Sequence, residues 1–561
     1  TRFILISEMI FRMPSPQLAG LAGIPAASRL AALEACAVLA HTWRNRRDIC
    51  ESYAIQASQV ENDLHVQDQP FTRDQLQAVE TFLGLEQRLI EEITGALIDE
   101  PDETLVAFAE KRQSTFWPEQ RTELQTQWAL IVSAGRVLIQ AKKVEKALKA
   151  SPKARAIDLA KFYTHEDDPW CWLDTTHRNM ERRVHHFDFD TTGVHKLLEQ
   201  LIAKARESYT KTGDRMAEHF VRMYAGDQFA LPGFLLQHEI FEKHLKSALL
   251  AGKMAFVWVD ALRYEMGREL VQILAGEFEV DLQPAVASIP TITEIGMASL
   301  LPLPQTLPRL YSPAEGKLAI EVDGVPIRDR KDRISFLKKH TYLKTVDVRL
   351  EDLLPTPKKV IRDAIKTADL ILVTSQEIDE LCEGDNVHLA RRIMDDMLLE
   401  LRRVFRILRD QGVKTIICTA DHGYLFGEEI GVDMKIDPPG GNTVDLHRRV
   451  WVGQGGAASE ATLRAPLAKF GWETDYEIST PWNFACFKVK GGTSAYFHGG
   501  LSPQELFIPV LTINAIKKQP SDSGNYVWKL TPGTPKISTR FYSIQISGGL
   551  SGLFEATPPK V

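Results

Sequence analysis

Two short β-rich apolar runs, Met254–Val259 and Val413–Thr419, each lead within two residues to an aspartate, Asp260 in the first case and Asp421 in the second. Similar runs occur at Leu370–Thr374, Phe484–Val489 and Phe507–Ile513, and helical spacing separates several of them, as in Arg263–Leu274 and Arg391–Arg409. Continuous apolar strands alternating with helices predict an α/β fold with a largely parallel sheet covered on both faces. In open sheets of this kind ligands bind outside the carboxyl ends of the strands. Asp260 and Asp421 are therefore expected at the ligand-binding edge.

A chain of 561 residues exceeds what one hydrophobic core usually serves. Residues 1–246 read as a helical accessory region. Segments such as Arg73–Ile98 and Val194–Tyr209 space their apolar residues three and four apart. Asp167–Asp190, rich in Trp, His and Asp, reads as an irregular connection. Residues 247–515 form the expected α/β domain, and 516–561, punctuated by Pro and Gly, a small β-rich region. The net charge of −7 argues against a surface wholly devoted to nucleic acid but leaves room for a local basic patch. Six scattered cysteines without a CxxC pair fit a reducing cytoplasm. No run approaches the roughly 20 apolar residues that span a bilayer, so no membrane partner is expected.

The strand-end acids carry chemistry. A carboxylate is costly to desolvate unless it is paired or bound to a cation. Asp421-His422-Gly423 supplies one hard oxygen and one imidazole nitrogen on adjacent residues, a set suited to Zn²⁺ or Mn²⁺. Taken singly, a strand-end aspartate is more often a helix N-cap. In Ser288–Pro302 a strand-like run enters a Pro-Thr turn, and a helix is expected at or just after Thr293. That hydroxyl is either a nucleophile beside a metal or simply a cap. Arg263, one helical turn past Asp260, is a tentative phosphate contact or a partner of Glu265. The basic stretch Arg328–Arg349 is a solvated face or a grip for a polyanion such as a nucleic acid. His185–Asp190 mimics a metal cluster but has no second half.

Four segments share one resemblance: VWVDALRYEMGREL at Val257–Leu270, PTITEIGMASLLP at Pro290–Pro302, TADHGYLF at Thr419–Phe426 and YFHGGLSPQELFIPVL at Tyr496–Leu511. Together, and in this order, they resemble the alkaline-phosphatase superfamily, and within it the PglZ family of bacterial phage-exclusion (BREX) systems. The resemblance implies one metal on Asp260, Asp421, His422 and the oxygen of Thr293, which is preferred to Thr291 as nucleophile. It also implies a second metal on His498. The remaining ligands are expected after Leu370–Thr374, where Asp379 and Glu383 stand at the four-residue spacing and no histidine does; Asp385 and His388 are substitutes. An oxygen-richer site tolerates Mn²⁺ or Mg²⁺ beside Zn²⁺. The implied function is a metal-dependent phosphodiesterase or nuclease acting with other BREX proteins. The alternative is a weakly active or inactive scaffold that binds those partners or DNA.

Overall fold

The computed structural model describes residues 1–14, 23–187, 195–304, 308–314, 317–375, 387–426, 434–489, 496–516, 526–532 and 544–550. Its main sheet has seven strands: β1 (Leu235–Leu236), β2 (Met254–Val259), β3 (Phe278–Val286), β4 (Thr345–Arg349), β5 (Leu370–Ser375), β6 (Thr415–Ala420) and β7 (Phe507–Ala515). They lie in the order β1-β3-β7-β6-β2-β5-β4. All run parallel except β7, which is antiparallel to both of its neighbours. Every residue of β2 and β5 is buried, which is why those runs are continuously apolar and do not alternate. This is the mostly parallel α/β architecture expected from the sequence.

Helices cover the sheet. Among them are α4 (Tyr264–Leu274), the short α5 (Thr293–Ser299), α6 (Arg330–Thr341) and α7 (Val387–Asp410). The N-terminal part is built of helices that include α1 (Thr122–Ala150), α2 (Trp172–His186) and α3 (Lys196–Gly226). Phe507 at the start of β7 joins the two parts. Its ring meets Tyr163, Phe220 and Phe234 with centroids 5.5–5.7 Å away.

Three expectations need correction. Asp167–Asp190 is no irregular connection, because fifteen of its residues form α2. Leu173 and Met180 supply the apolar spacing, and the polar Asp174, His177, Arg178 and Glu181 are buried as well because each has a charged or aromatic partner. Arg73–Ile98 is two helices, Arg73–Ala78 and Leu83–Asp99, and the Glu80 carbonyl between them is taken up by Arg44 and by the Trp117 indole. Phe484–Val489 does not enter the main sheet. Only Cys486–Phe487 is extended, paired with Lys435–Ile436, and Arg449 donates to the carbonyls of Asn483 and Ala485.

Smaller sheets ride on this frame. One has four antiparallel strands within Asn442–Pro481, another three within Arg309–Ile327, and Tyr526–Pro532 pairs with Ile544–Leu550. Among the described residues no helix is long and apolar enough to cross a membrane. Cys36, Cys50, Cys171, Cys418 and Cys486 form no disulfide.

Candidate metal centre

The site is set by strand register. Val259 of β2 pairs with Ala420 of β6, so the next residue of each parallel strand, Asp260 and Asp421, emerges at the same edge. Ala261 then takes the left-handed conformation (φ 53°) and donates its N–H to Asp421 Oδ1 at 2.9 Å. The His422 N–H donates to the same oxygen at 2.9 Å. Asp421 Oδ2 lies 3.3 Å from His422 Nε2. Asp260, Asp421 and His422 are at most 1% exposed, and each offers a ligand atom within 4.8 Å of the other two.

The donor set fits a divalent cation. Two ionised carboxylates at that separation repel by roughly 3 kcal/mol at an effective dielectric constant near 20, a cost a shared cation reverses. Burial pushes the His422 imidazole down to about 4, so it is a neutral nitrogen donor at neutral pH. Its Nδ1 lies 3.0 Å from the Gly423 carbonyl, which makes Nδ1 the protonated nitrogen and leaves the Nε2 lone pair facing the two aspartates.

The turn before α5 brings a hydroxyl to the same place. Thr293 is the first residue of that helix, and its Oγ1 lies 3.2 Å from His422 Nε2. Thr291 is committed elsewhere: its buried hydroxyl donates to the Gly500 carbonyl at 2.8 Å. Gly296 lets α5 settle onto the end of β6, since a Cβ there would stand 2.5 Å from the Asp421 carbonyl oxygen. Gly423 is equally required, because its Cβ would meet the Gln504 carbonyl at 1.9 Å. His498 stacks on His422 with ring centroids 4.2 Å apart, and its Nδ1 is 3.2 Å from the Thr291 carbonyl. Asp379 and Glu383 lie outside the described residues, as do Asp385 and the side chain of His388.

The family model for the BREX system PglZ alkaline phosphatase-like domain matches residues 240–513. Residues 240–513 belong to the PglZ family. Asp260, Thr293, Asp421, His422 and His498 all fall inside that PglZ domain. Outside it, similarity continues: the alkaline phosphatase-like protein BrxZ of Escherichia coli O9:H4 (strain HS) is 24% identical over 515 residues, 85% of this chain and 56% of that protein. The alkaline phosphatase-like protein PglZ of Bacillus cereus (strain H3081.97) is 24% identical over 323 residues, 56% of this chain and 37% of that protein. The chain thus spans about half the length of these relatives, or less. Among solved structures, murine ectonucleotide pyrophosphatase/phosphodiesterase 5 aligns with a TM-score of 0.34 at 12% identity, covering 47% of this chain and 88% of its own. Phosphonoacetate hydrolase from Sinorhizobium meliloti 1021 aligns with a TM-score of 0.32 at 12% identity, covering 46% and 89%.

One expected contact of the PglZ domain points elsewhere. Arg263 is 1% exposed, its Nη2 stands 2.8 Å from Asp174 of α2, and its guanidinium lies over the Tyr424 ring at 5.1 Å. It is part of a buried seam, paired with Asp174 and 3.9 Å from Glu265, which is the second of the two roles the sequence offered it. In that seam Asp174 also accepts from Tyr163, Tyr209 and Gln504, while Arg178 donates to Glu265 at 2.9 and 3.0 Å. The reason lies in the backbone: after the left-handed turn at Ala261 the chain leaves the strand direction, and Arg263 caps α4 against the helical region.

Several positioning residues escaped the sequence reading. Gln237 donates to the Ala420 and Asp421 carbonyls at 3.0 and 2.7 Å and accepts from the Ser288 N–H at 2.8 Å, tying β6 to the segment before Thr293. Glu505 is fully buried, salt-bridged to Arg449 at 2.9 Å, and accepts from the Gly500 N–H and the Ser502 hydroxyl. Burial alone would raise its carboxyl, but the Arg449 charge and these hydrogen bonds hold it below the usual range. It fixes the loop that carries His498. The Asp445–His447 pair, 3.2 Å apart, stands beside His498. Only the Asp-x-His spacing on an alternating strand could have flagged it.

Proposed function

We propose that this PglZ domain is a metal-dependent phosphoesterase, acting on phosphodiesters, with Thr293 as nucleophile. The observation that carries the reading is the convergence of Asp260, Asp421 and His422 on one buried point with the Thr293 hydroxyl 3.2 Å from the imidazole. A Zn²⁺, Mn²⁺ or Mg²⁺ ion held there would supply Lewis-acid charge and make the hydroxyl more acidic. The chain does the rest. Thr293 Oγ1 forms a bond to phosphorus while the ester P–O bond breaks and the alcohol departs protonated; water then cleaves the phosphothreonine and restores the hydroxyl. Asp421, fixed by two backbone N–H groups, and His422, fixed through Nδ1, need little reorganisation during the reaction.

A second ion would lie on His498, with Asp379 and Glu383 as its acidic ligands. Nucleic acid is the polyanionic substrate we favour, and other BREX proteins in the cytoplasm of a phage-challenged cell are the proposed partners. The test is to purify the protein, measure bound metal, and assay a generic phosphodiester with wild type and Thr293→Ala. Turnover should fall by at least ~100-fold in the variant. Equal rates would reject Thr293. No turnover with any divalent metal would favour a scaffold that has kept the fold.

A further inference from the structure

Four of the eight basic residues of Arg328–Arg349 pair with acids nearby. Arg328 pairs with Asp332 at 2.8 Å, Arg330 and Lys338 with Asp347 at 3.1 and 3.3 Å, and Arg349 with Glu351 at 3.4 Å. Lys331, Arg333, Lys339 and Lys344 form no salt bridge among the described residues, and of these four Arg333 alone is buried, at 7% exposed, while the three lysines lie in solvent.

Its position is set by α6. Asp329 caps that helix by accepting the Asp332 N–H at 2.8 Å. One turn before Arg333, Arg330 donates to Thr374 Oγ1 at 3.0 Å. Thr374 lies at the carboxyl end of β5 and is in register with Trp258, two residues before Asp260. The first turn of α6 therefore sits over the strand ends that carry the metal centre, and Arg333 follows on the same helical face, three residues on. The carboxylates whose fields act on its guanidinium are Glu294, Asp421, Asp329 and Asp260. Three of them have other work: Asp329 caps the helix, and Asp260 and Asp421 are the proposed metal ligands.

A buried charge without an ion-pair partner costs stability that a fold rarely retains without use. A guanidinium beside a site for phosphoryl transfer has an evident use, because its fork of N–H donors matches two phosphate oxygens. We infer that Arg333 is a substrate-binding residue that donates to the non-bridging oxygens of the phosphoryl group held at the Asp260–Asp421–His422 centre. This rests on the proposed function. It assigns to the α6 segment the role that the sequence had offered to Arg263.

The experiment compares wild type, Arg333→Gln and Arg333→Lys, each loaded with Zn²⁺ and checked for metal content. Inorganic phosphate is titrated calorimetrically, and thermal unfolding is recorded without phosphate. Arg333→Gln should bind phosphate about 10- to 100-fold more weakly at unchanged metal content. Its Tm should be equal or higher, since an unpaired buried charge is removed. Arg333→Lys should recover part of the affinity, keeping the charge but losing the fork. Equal phosphate affinity in wild type and Arg333→Gln would overturn this inference alone. A Tm several degrees lower, with weakened binding, would also overturn it by marking a structural role. Wild-type protein that takes up neither metal nor phosphate would overturn the proposed function and this inference together.

Discussion

Val259 and Ala420 are register partners on adjacent parallel strands, and that pairing alone brings Asp260 and Asp421 abreast at the end of the sheet. A one-residue slip would turn one carboxylate to the opposite face, so the site is as well specified as the buried strands that carry it. Asp260→Asn removes one charge without disturbing that register. Bound metal, measured after desalting, should fall by about tenfold or more, with an unchanged circular dichroism spectrum. Full metal occupancy in the variant would remove Asp260 from the ligand set.

Gly296 is the contact through which Thr293 reaches the centre. A methyl group at that position would stand 2.5 Å from the Asp421 carbonyl oxygen and 2.8 Å from Asp421 Cβ. Gly296→Ala should therefore push α5 outward, at a cost of about 1–3 kcal/mol in denaturant unfolding. Phosphodiester turnover should fall more steeply than stability, since a displacement near 1 Å costs on the order of 100-fold in rate. A variant with wild-type turnover would show that the helix need not touch Asp421.

The Arg263–Asp174 seam makes a separate stability prediction. Both side chains are buried, so removing Asp174 strands a guanidinium in the interior. Asp174→Ala should lose about 3–5 kcal/mol in urea unfolding, and the double variant with Arg263→Met should regain part of that loss. Additive losses would mean that the two groups do not act as a pair.

The α/β half and its strand-end acids were legible because they depend on local pattern: continuous apolar runs, then an acid, then a helix. The seam was not. Asp174, Arg178 and Glu181 look solvated in the local sequence, yet they are buried because Arg263, Glu265 and Arg206 come to meet them, the first two about 90 residues further along the chain and Arg206 from the neighbouring α3. The sequence left Arg263 open between phosphate and an acidic partner for the same reason. Nearness to Asp260 in sequence hid the left-handed turn at Ala261 that separates them. Arg333 was only one of eight basic residues in its stretch, and just the folded chain distinguishes it, by burying it, from neighbours that pair locally or lie in solvent.

Acid should destabilise the metal-free protein. Glu505 is held below its ordinary carboxyl range against the upward push of burial, so its contribution is complete above the unfolded value near 4.5 and is lost as pH falls through the lower folded one. His422 works in the same direction, since the unfolded chain accepts a proton near 6.5 and the folded one resists it down to about 4. In EDTA, Tm should drop from pH 7 to pH 4. Glu505→Gln should be less stable at pH 7, with its gap to wild type narrowing toward pH 4. A gap independent of pH would mean that Glu505 folds already protonated.

Whether one ion binds where the strands end can be measured by anomalous diffraction from crystals grown with Zn²⁺. The expected peak lies about 2.0–2.2 Å from an oxygen each of Asp260 and Asp421 and from His422 Nε2, with Thr293 Oγ1 alongside. Crystals of protein shown to carry stoichiometric zinc, but with no anomalous density at those three residues, would contradict the metal centre.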